Sequence, residues 1–223
     1  YIGDMNLPGE VAVMTLPNVT LFPHSLLPLH IFEPRYRRML EDALESSRMF
    51  AVAMQRTGTQ RETPLPIAGL GLIRVSVRHG NGTSHLVLQG IARVELGKAV
   101  RYRPYRVHRI TTLQTRPCNS VAADALLAKV RELLAERLRL GLPFAFPVVA
   151  GTRPEPVPAV AVSPKQILCY LDSIKDPEHA ADLVTCAVLP RAVERQTILE
   201  TIDVEARLRR LIRFLLAEIR EAK

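Results

Sequence analysis

Alternating apolar and polar positions dominate the first half of the chain and predict short β-strands. The predicted strands are residues 11–16, 50–54, 70–77, 84–90, 92–96 and 105–113, and the alternation is clear in 70–77 and 105–113. In segment 70–77, Ile73, Val75 and Val77 are predicted to share one face, opposite Arg74 and Ser76. Gly80-Asn81-Gly82 predicts a hairpin turn, because these residues accept positive φ. Short strands with regularly spaced turns are typical of a small barrel or sandwich.

One apolar segment, residues 21–32, lacks this alternation and contains Pro23 and Pro28. Proline has no N–H to donate to a sheet, so we expect an extended edge or loop segment with apolar side chains. A helix is predicted directly after it. Pro34 suits the first helical position, Glu33 places a negative charge at the positive end of the helix dipole, and Tyr36 begins an apolar face.

The second half predicts helices, at residues 120–140, 163–174, 176–189, 190–200 and from 204 onward. The last helix has the clearest pattern, with one apolar stripe along its length. The residues of this stripe are Val204, Leu208, Leu211, Ile212, Leu215, Leu216 and Ile219. The residues predicted to cover its solvent side are Arg207, Arg209, Arg210, Arg213, Glu218 and Arg220.

The shift from strand to helix patterns predicts two subdomains, residues 1–117 and 118–223. Residues 142–163 carry five prolines, which exclude a regular helix and predict a proline-rich loop within the second subdomain.

Composition narrows the class of protein. The 223 residues are 48% hydrophobic and 23% charged, which is typical of globular rather than disordered chains. Neither an apolar run long enough to cross a membrane nor a signal peptide is evident in the sequence. Cys118, Cys169 and Cys186 are odd in number and widely spaced, so we expect free thiols in a reducing cytoplasm.

The common sequence motifs of nucleotide-hydrolysing enzymes, metalloproteases and serine hydrolases are missing from the sequence. It contains no phosphate-binding G-x-x-x-x-G-K-S/T, no H-E-x-x-H and no G-x-S-x-G. Ser163 and Lys165 have the residue types of a serine–lysine dyad, but Ser163 is explained as a helix cap and Lys165 falls in a first helical turn. We therefore predict no catalytic residue, no metal site and no cofactor.

The net charge of +8, nearly all from arginine, favours acidic partners. Arg93, Arg101 and Arg103 fall in the β half, with Tyr102 and Tyr105 between and beside them, as stacking residues would in an RNA-binding surface. An ordinary solvated sheet face is the alternative interpretation of the same residues.

Several motifs resemble the N-terminal substrate-binding domain of the Lon protease family. The most specific is the run from Leu29 to Tyr36, His-Ile-Phe-Glu-Pro-Arg in its centre. The other matching residues are Leu16-Pro17, Leu21-Phe22-Pro23, Leu27-Pro28, Gly71, Ile73, Gly90, Arg93-Val94, Pro104-Tyr105, Asp176-Pro177, Leu183, Glu194, Gln196, Leu199-Glu200, Asp203-Val204 and Arg207-Leu208. The resemblance covers residues 10 to 220 and is weakest in the proline-rich stretch.

This resemblance implies an α+β fold, in which a PUA-like β-barrel with one inserted helix is followed by a C-terminal helical bundle. It also implies a non-catalytic module that binds unfolded or extended polypeptide, and we expect a stand-alone bacterial member of the family. Two alternatives remain: RNA binding, and an adaptor that delivers clients to a separate ATP-dependent protease. No membrane partner is expected.

We predict a shallow apolar groove in segment 21–32 as the place where a polypeptide would bind. Its side chains would be Phe22, Leu27, Leu29, Ile31 and Phe32. The alternative is that the same side chains close the barrel and pack in its core. Glu33, Pro34 and Tyr36 are interpreted as structural: cap, helix start and core anchor.

Overall fold

The computed structural model describes residues 6–59, 62–116, 120–143, 166, 169–170 and 173–223. They form an α+β fold with a mixed six-stranded sheet and five helices. The strands are β1 Glu10–Leu16, β2 Leu26–Ile31, β3 Met49–Met54, β4 Ile67–Arg78, β5 Ser84–Arg101 and β6 Arg106–Leu113. The helices are α1 Pro34–Leu44, α2 Ser120–Arg139, α3 Pro177–Val188, α4 Ala192–Leu199 and α5 Val204–Glu221.

The described chain divides into two compact units, the first ending at Leu113 and the second beginning at Gln114. The first unit holds all six strands and α1, and the second holds the other four helices. The predicted boundary between residues 117 and 118 lies outside the described residues, as does most of the proline-rich segment 142–163.

The strands of the first unit follow the order β2-β5-β4-β3-β1-β6, and β6 also pairs with β5. Hydrogen bonding therefore links β5, β4, β3, β1 and β6 in a closed ring. The pairing of β1 with β3 is parallel and the others are antiparallel. Two predicted strands, at 84–90 and 92–96, are one continuous strand of 18 residues, β5. Its first half pairs with β2 and its second half with β6.

Two glycines allow the chain before β2 to cross the sheet at close range. A Cβ on Gly69 would lie 2.0 Å from the Leu21 carbonyl oxygen, and one on Gly90 would lie 1.9 Å from the Phe22 carbonyl oxygen. Only glycine permits such an approach. Gly90 also donates its N–H to the Ser25 carbonyl at 2.9 Å, which attaches the crossing segment to β5.

The helices of the second unit carry the predicted patterns. Asp176 and Asp203 cap α3 and α5, accepting from the N–H groups of Glu178 and Ala206. The α5 stripe is buried at Val204, Leu208, Leu211, Leu215 and Ile219 and half-buried at Ile212 and Leu216. α2 and α3 both pack against α5, so this stripe forms the centre of the unit.

Two side chains of α5 do not lie where the sequence predicted. Arg207, predicted on the solvent side, is fully buried, and its Nη1 contacts Asp182 at 3.1 Å and Glu178 at 3.2 Å. Glu218 pairs at 2.6 Å with Arg137, which is 1% exposed on α2. Helical periodicity cannot reveal such pairs, because the partners lie on other helices.

Arg207→Met should lower the free energy of unfolding of the second unit by about 3–5 kcal/mol, because it leaves the buried Asp182 carboxylate uncompensated. Arg210→Met, on the exposed side of the same helix, is the matched control and should change stability by less than about 0.5 kcal/mol. Chemical denaturation followed by circular dichroism measures both. Equal effects of the two substitutions would contradict the assigned role of Arg207.

Candidate functional site

Strand β2 alternates strictly between buried and accessible residues. Leu27, Leu29 and Ile31 are each 2% exposed and belong to the core of the first unit, as does the 0% exposed Phe22 that precedes the strand. The expectation that these four side chains line an open groove is therefore not met in this structure. For Leu27, Leu29 and Ile31 the reason is the pleat, because they share the inward face of a strand that pairs with β5 along its whole length. Phe22 lies in the segment before β2, whose backbone passes close to Gly90.

The even-numbered side of β2 points the other way. Leu26 is 56% exposed, and Phe32, the fifth predicted contact residue, is 37% exposed directly after the strand. Pro28 and His30 between them are half-buried. The apolar surface offered by this segment therefore consists of its outward residues.

Cross-strand register extends this surface over β5 and β4. Pro28 pairs with Val87 and Val87 with Val75, while His30 pairs with His85 and His85 with Val77. We call the outward residues of these three strands the outer face. Its apolar members are Leu26, Pro28, Phe32, Val75, Val77 and Val87.

Val75 and Val77 were predicted to share one face of the strand with Ile73. They are 53% and 52% exposed, whereas Ile73 is 2% exposed. A bulge between Ile73 and Val75 places one extra residue in β4, so the strand reverses its faces at that point. A bulge leaves no mark on the alternation of residue types, and the two valines could not be assigned to the outer face from sequence.

Three imidazoles lie close together at the outer face, His30 and His85 on it and His79 next to them. His79 Nε2 and His85 Nδ1 are 3.0 Å apart, and the rings of His30 and His85 have centroids 4.7 Å apart. The His30 ring also lies 5.6 Å from that of Phe32. Burial, followed by the charges of His85 and His79, holds the pKa of His30 below its ordinary value of 6.5. Protonation of His30 is therefore less favourable in the folded protein than in a freely solvated imidazole.

The Glu33-Pro34-Tyr36 motif lies at the start of α1. Pro34 opens α1, and the buried Tyr36 hydroxyl accepts from the Thr15 N–H at 3.3 Å. Glu33 occupies the cap position but makes no side-chain cap hydrogen bond. Its carboxylate instead pairs at 2.7 Å with Arg35, which also binds Glu62 at 2.5 Å.

The three arginines predicted to contact an anion have different environments. Arg93 is 3% exposed, with its guanidinium 5.7 Å from the centroid of the Phe22 ring, so it cannot contribute to a surface for RNA. Arg101 and Arg103 are exposed. Tyr105 is buried, whereas Tyr102 is 65% exposed.

One small cleft lies within the first unit, between α1, β1 and β6. It has a volume of about 120 Å³ and is lined in part by Glu10, Asp42, Ser46 and Tyr105. Pockets for small-molecule ligands usually measure about 300–1,000 Å³. The outer face is therefore the stronger candidate for a functional site.

A family model described as the ATP-dependent protease La (LON) substrate-binding domain matches residues 10–217. The chain belongs to the Lon substrate-binding domain family. Curated relatives include the Lon protease of Dictyoglomus thermophilum, 24% identical over 217 residues, and Lon protease 2 of Myxococcus xanthus, 25% identical over 219 residues. Each alignment covers 96% of this chain but only 25% and 24% of the relative.

Solved structures of Lon N-terminal domains share the fold. The N-terminal domain of Mycobacterium avium complex Lon protease superposes with a TM-score of 0.69 at 20% identity, covering 93% of this chain and 98% of that one. The Lon N-terminal domain protein from Xanthomonas campestris gives a TM-score of 0.55 at 18% identity. Among the described helices, none combines the length and apolarity needed to cross a bilayer.

Acidification should destabilise the first unit through His30. Because the folded state disfavours its protonation, the unfolded state binds more protons as the pH falls below 6.5, and the free energy of unfolding decreases until the folded pKa is passed. His30→Gln should reduce this pH dependence. His24→Asn is a matched control, since His24 is exposed and asparagine tolerates its φ of 65°. Denaturant titrations between pH 5 and 7.5, values chosen to bracket about 6.5, measure the slope. An unchanged slope in His30→Gln would exclude this assignment.

Proposed function

We propose that the chain is a non-catalytic module that binds unfolded or extended polypeptide segments on its outer face. The observation that carries this proposal is the match of residues 10–217 to the Lon substrate-binding domain. The outer face supplies the location, because it joins exposed apolar side chains from three adjacent strands. Contiguous exposed apolar patches commonly mark sites of interaction.

The side chains of the outer face suit a polypeptide ligand without requiring a particular amino-acid sequence in it. Leu26, Val75 and Val77 are each more than half exposed, and covering their apolar area contributes about 25 cal/mol per Å² before the cost of ordering the ligand. His30, His85 and Gln89 lie on the same face and offer hydrogen-bonding groups to a peptide backbone. Binding by side-chain burial needs no reactive group.

Several finer features belong to the same proposal. The closed ring of strands supports a PUA-like barrel, and the packing of α2, α3 and α4 on α5 supports a helical bundle. The Lon relationship supports a bacterial, cytoplasmic setting and an adaptor role toward a separate ATP-dependent protease. Absence of the phosphate-loop and H-E-x-x-H motifs from the sequence supports a non-catalytic role.

Leu26→Asp combined with Val77→Asp should weaken polypeptide binding about tenfold or more, because two carboxylates replace apolar contacts worth about 1.5–3 kcal/mol each when fully buried. Fluorescence anisotropy with a labelled, reduced and carboxymethylated protein as the unfolded ligand measures the Kd. Both positions are exposed, so the fold should be retained. Aspartate at Leu27 or Ile31 would instead bury a charge in the core and unfold the unit.

Val121→Asp combined with Val193→Asp is the matched control. These valines are 75% and 65% exposed on α2 and α4, so the change in charge and exposed apolar area is similar. Equal binding by the wild type and both double variants would refute the outer face as the site. Retention of a separate ATP-dependent protease on the immobilised wild type would support the adaptor role.

A further inference from the structure

A basic hairpin joins the end of β5 to the start of β6 in the first unit. We define it as residues 98–109. Its cationic residues are Lys98, Arg101, Arg103, Arg106 and Arg109. Lys98, Arg101 and Arg103 are exposed, and none of the ion pairs found within the described residues involves them. Within the described part of the chain, these three cations therefore present positive charge without an ion-pair partner.

An aromatic ring lies among these charges. Tyr102 is 65% exposed, in the segment that joins β5 to β6, and the Arg106 guanidinium lies 5.6 Å from its ring centroid. In the same hairpin, the Arg101 guanidinium lies 4.4 Å from the ring centroid of the buried Tyr105. The Tyr105 hydroxyl in turn donates to Asp42 at 2.5 Å, which fixes the second ring in the fold. Tyr102 has no hydrogen bond of this kind among the described contacts, and its 65% exposure leaves ring surface accessible beside Arg106.

We propose that the basic hairpin is a binding site for single-stranded nucleic acid, with Lys98, Arg101 and Arg103 contacting phosphates and Tyr102 stacking on a base. Single-stranded nucleic acid combines a chain of negative charges with flat, unpaired rings, and sites that bind it pair cations with aromatic side chains. Acidic peptides and anionic lipid headgroups satisfy the charges but offer no flat ring to Tyr102. Duplexes keep their bases stacked inside, away from an exposed tyrosine.

Carboxylates around the hairpin leave this surface open. Glu10 engages Arg109 at 3.4 Å, and Asp42 accepts from Tyr105 and pairs with Arg38 at 3.0 Å. Glu62 is held by Arg35, which lowers the pKa of its carboxyl, with a smaller contribution from Arg106. Lys98, Arg101 and Arg103 remain as the cations for phosphate. This site is separate from the outer face, and its test does not depend on polypeptide binding.

The proposal is tested by fluorescence anisotropy with labelled single-stranded RNA and DNA of the same mixed sequence, at several salt concentrations. Wild type should bind a single strand more tightly than the matched duplex. Tyr102→Ala should weaken single-strand binding about tenfold and leave duplex binding unchanged, as expected for the loss of one base stack. Lys98→Glu combined with Arg103→Glu should weaken binding and reduce the slope of log K against log salt by about 1.4, for two lost phosphate contacts.

Arg210→Glu combined with Arg213→Glu on α5 is the matched control, since both are exposed arginines and the net charge changes by the same amount. It should retain single-strand binding. The proposal is overturned if no strand is bound, if the control loses binding as much as the hairpin variant, or if Tyr102→Ala binds as wild type does. Tighter retention of polyglutamate or of anionic phospholipid vesicles than of the single strand would also overturn it, in favour of a peptide or a membrane. A preference between the RNA and DNA probes identifies which nucleic acid is the ligand.

Discussion

The backbone of Leu21 and Phe22 lies against two strands at positions that have no side chain. Carbonyl oxygens of this crossing segment occupy the space that a Cβ would need on Gly69 of β4 and Gly90 of β5. Hydrogen bonds from His24 N–H to the Gly90 carbonyl and from Gly90 N–H to the Ser25 carbonyl, both 2.9 Å, then lead the chain into β2. Because the crossing fixes where β2 meets β5, it also fixes which of the β2 side chains enter the core. A register shift of one residue would exchange the core residues for the outer face.

The sequence predicted the class of fold, the edge position of segment 21–32 and the start of α1 at Pro34, because each has a local chemical cause. The faces of β2 were not predictable in the same way. Leu26, Leu27, Leu29, Ile31 and Phe32 are all apolar, so their pattern does not distinguish inward from outward positions. Pro28 and His30, the less apolar residues of the strand, share the outward side and are the one local sign of its orientation.

Features that depend on distant partners were missed for a common reason. The bulge that turns Val75 outward is visible only in the pairing of β4 with β5. Arg93 looks like any other arginine on an alternating strand, yet its guanidinium lies near the Phe22 ring in the interior. Arg207 likewise enters the core because Asp182, 25 positions earlier, is buried on a neighbouring helix. An arginine in an amphipathic pattern is assigned to solvent unless its counterion is known, and the chain order does not reveal the counterion.

Strand β5 contributes residues to both the outer face and the basic hairpin, at different positions along its length. Val87 on the outer face and Arg101 in the basic hairpin belong to the same unbroken strand, 14 residues apart. At about 3.3 Å per residue, that spacing is at most about 46 Å, and the bulges near Ala99 shorten it. Occupying one end would not obstruct the other, yet both ends share a single hydrogen-bonded ladder. We therefore expect the two proposed ligands to bind toward opposite ends of β5, at a separation that the length of this strand limits.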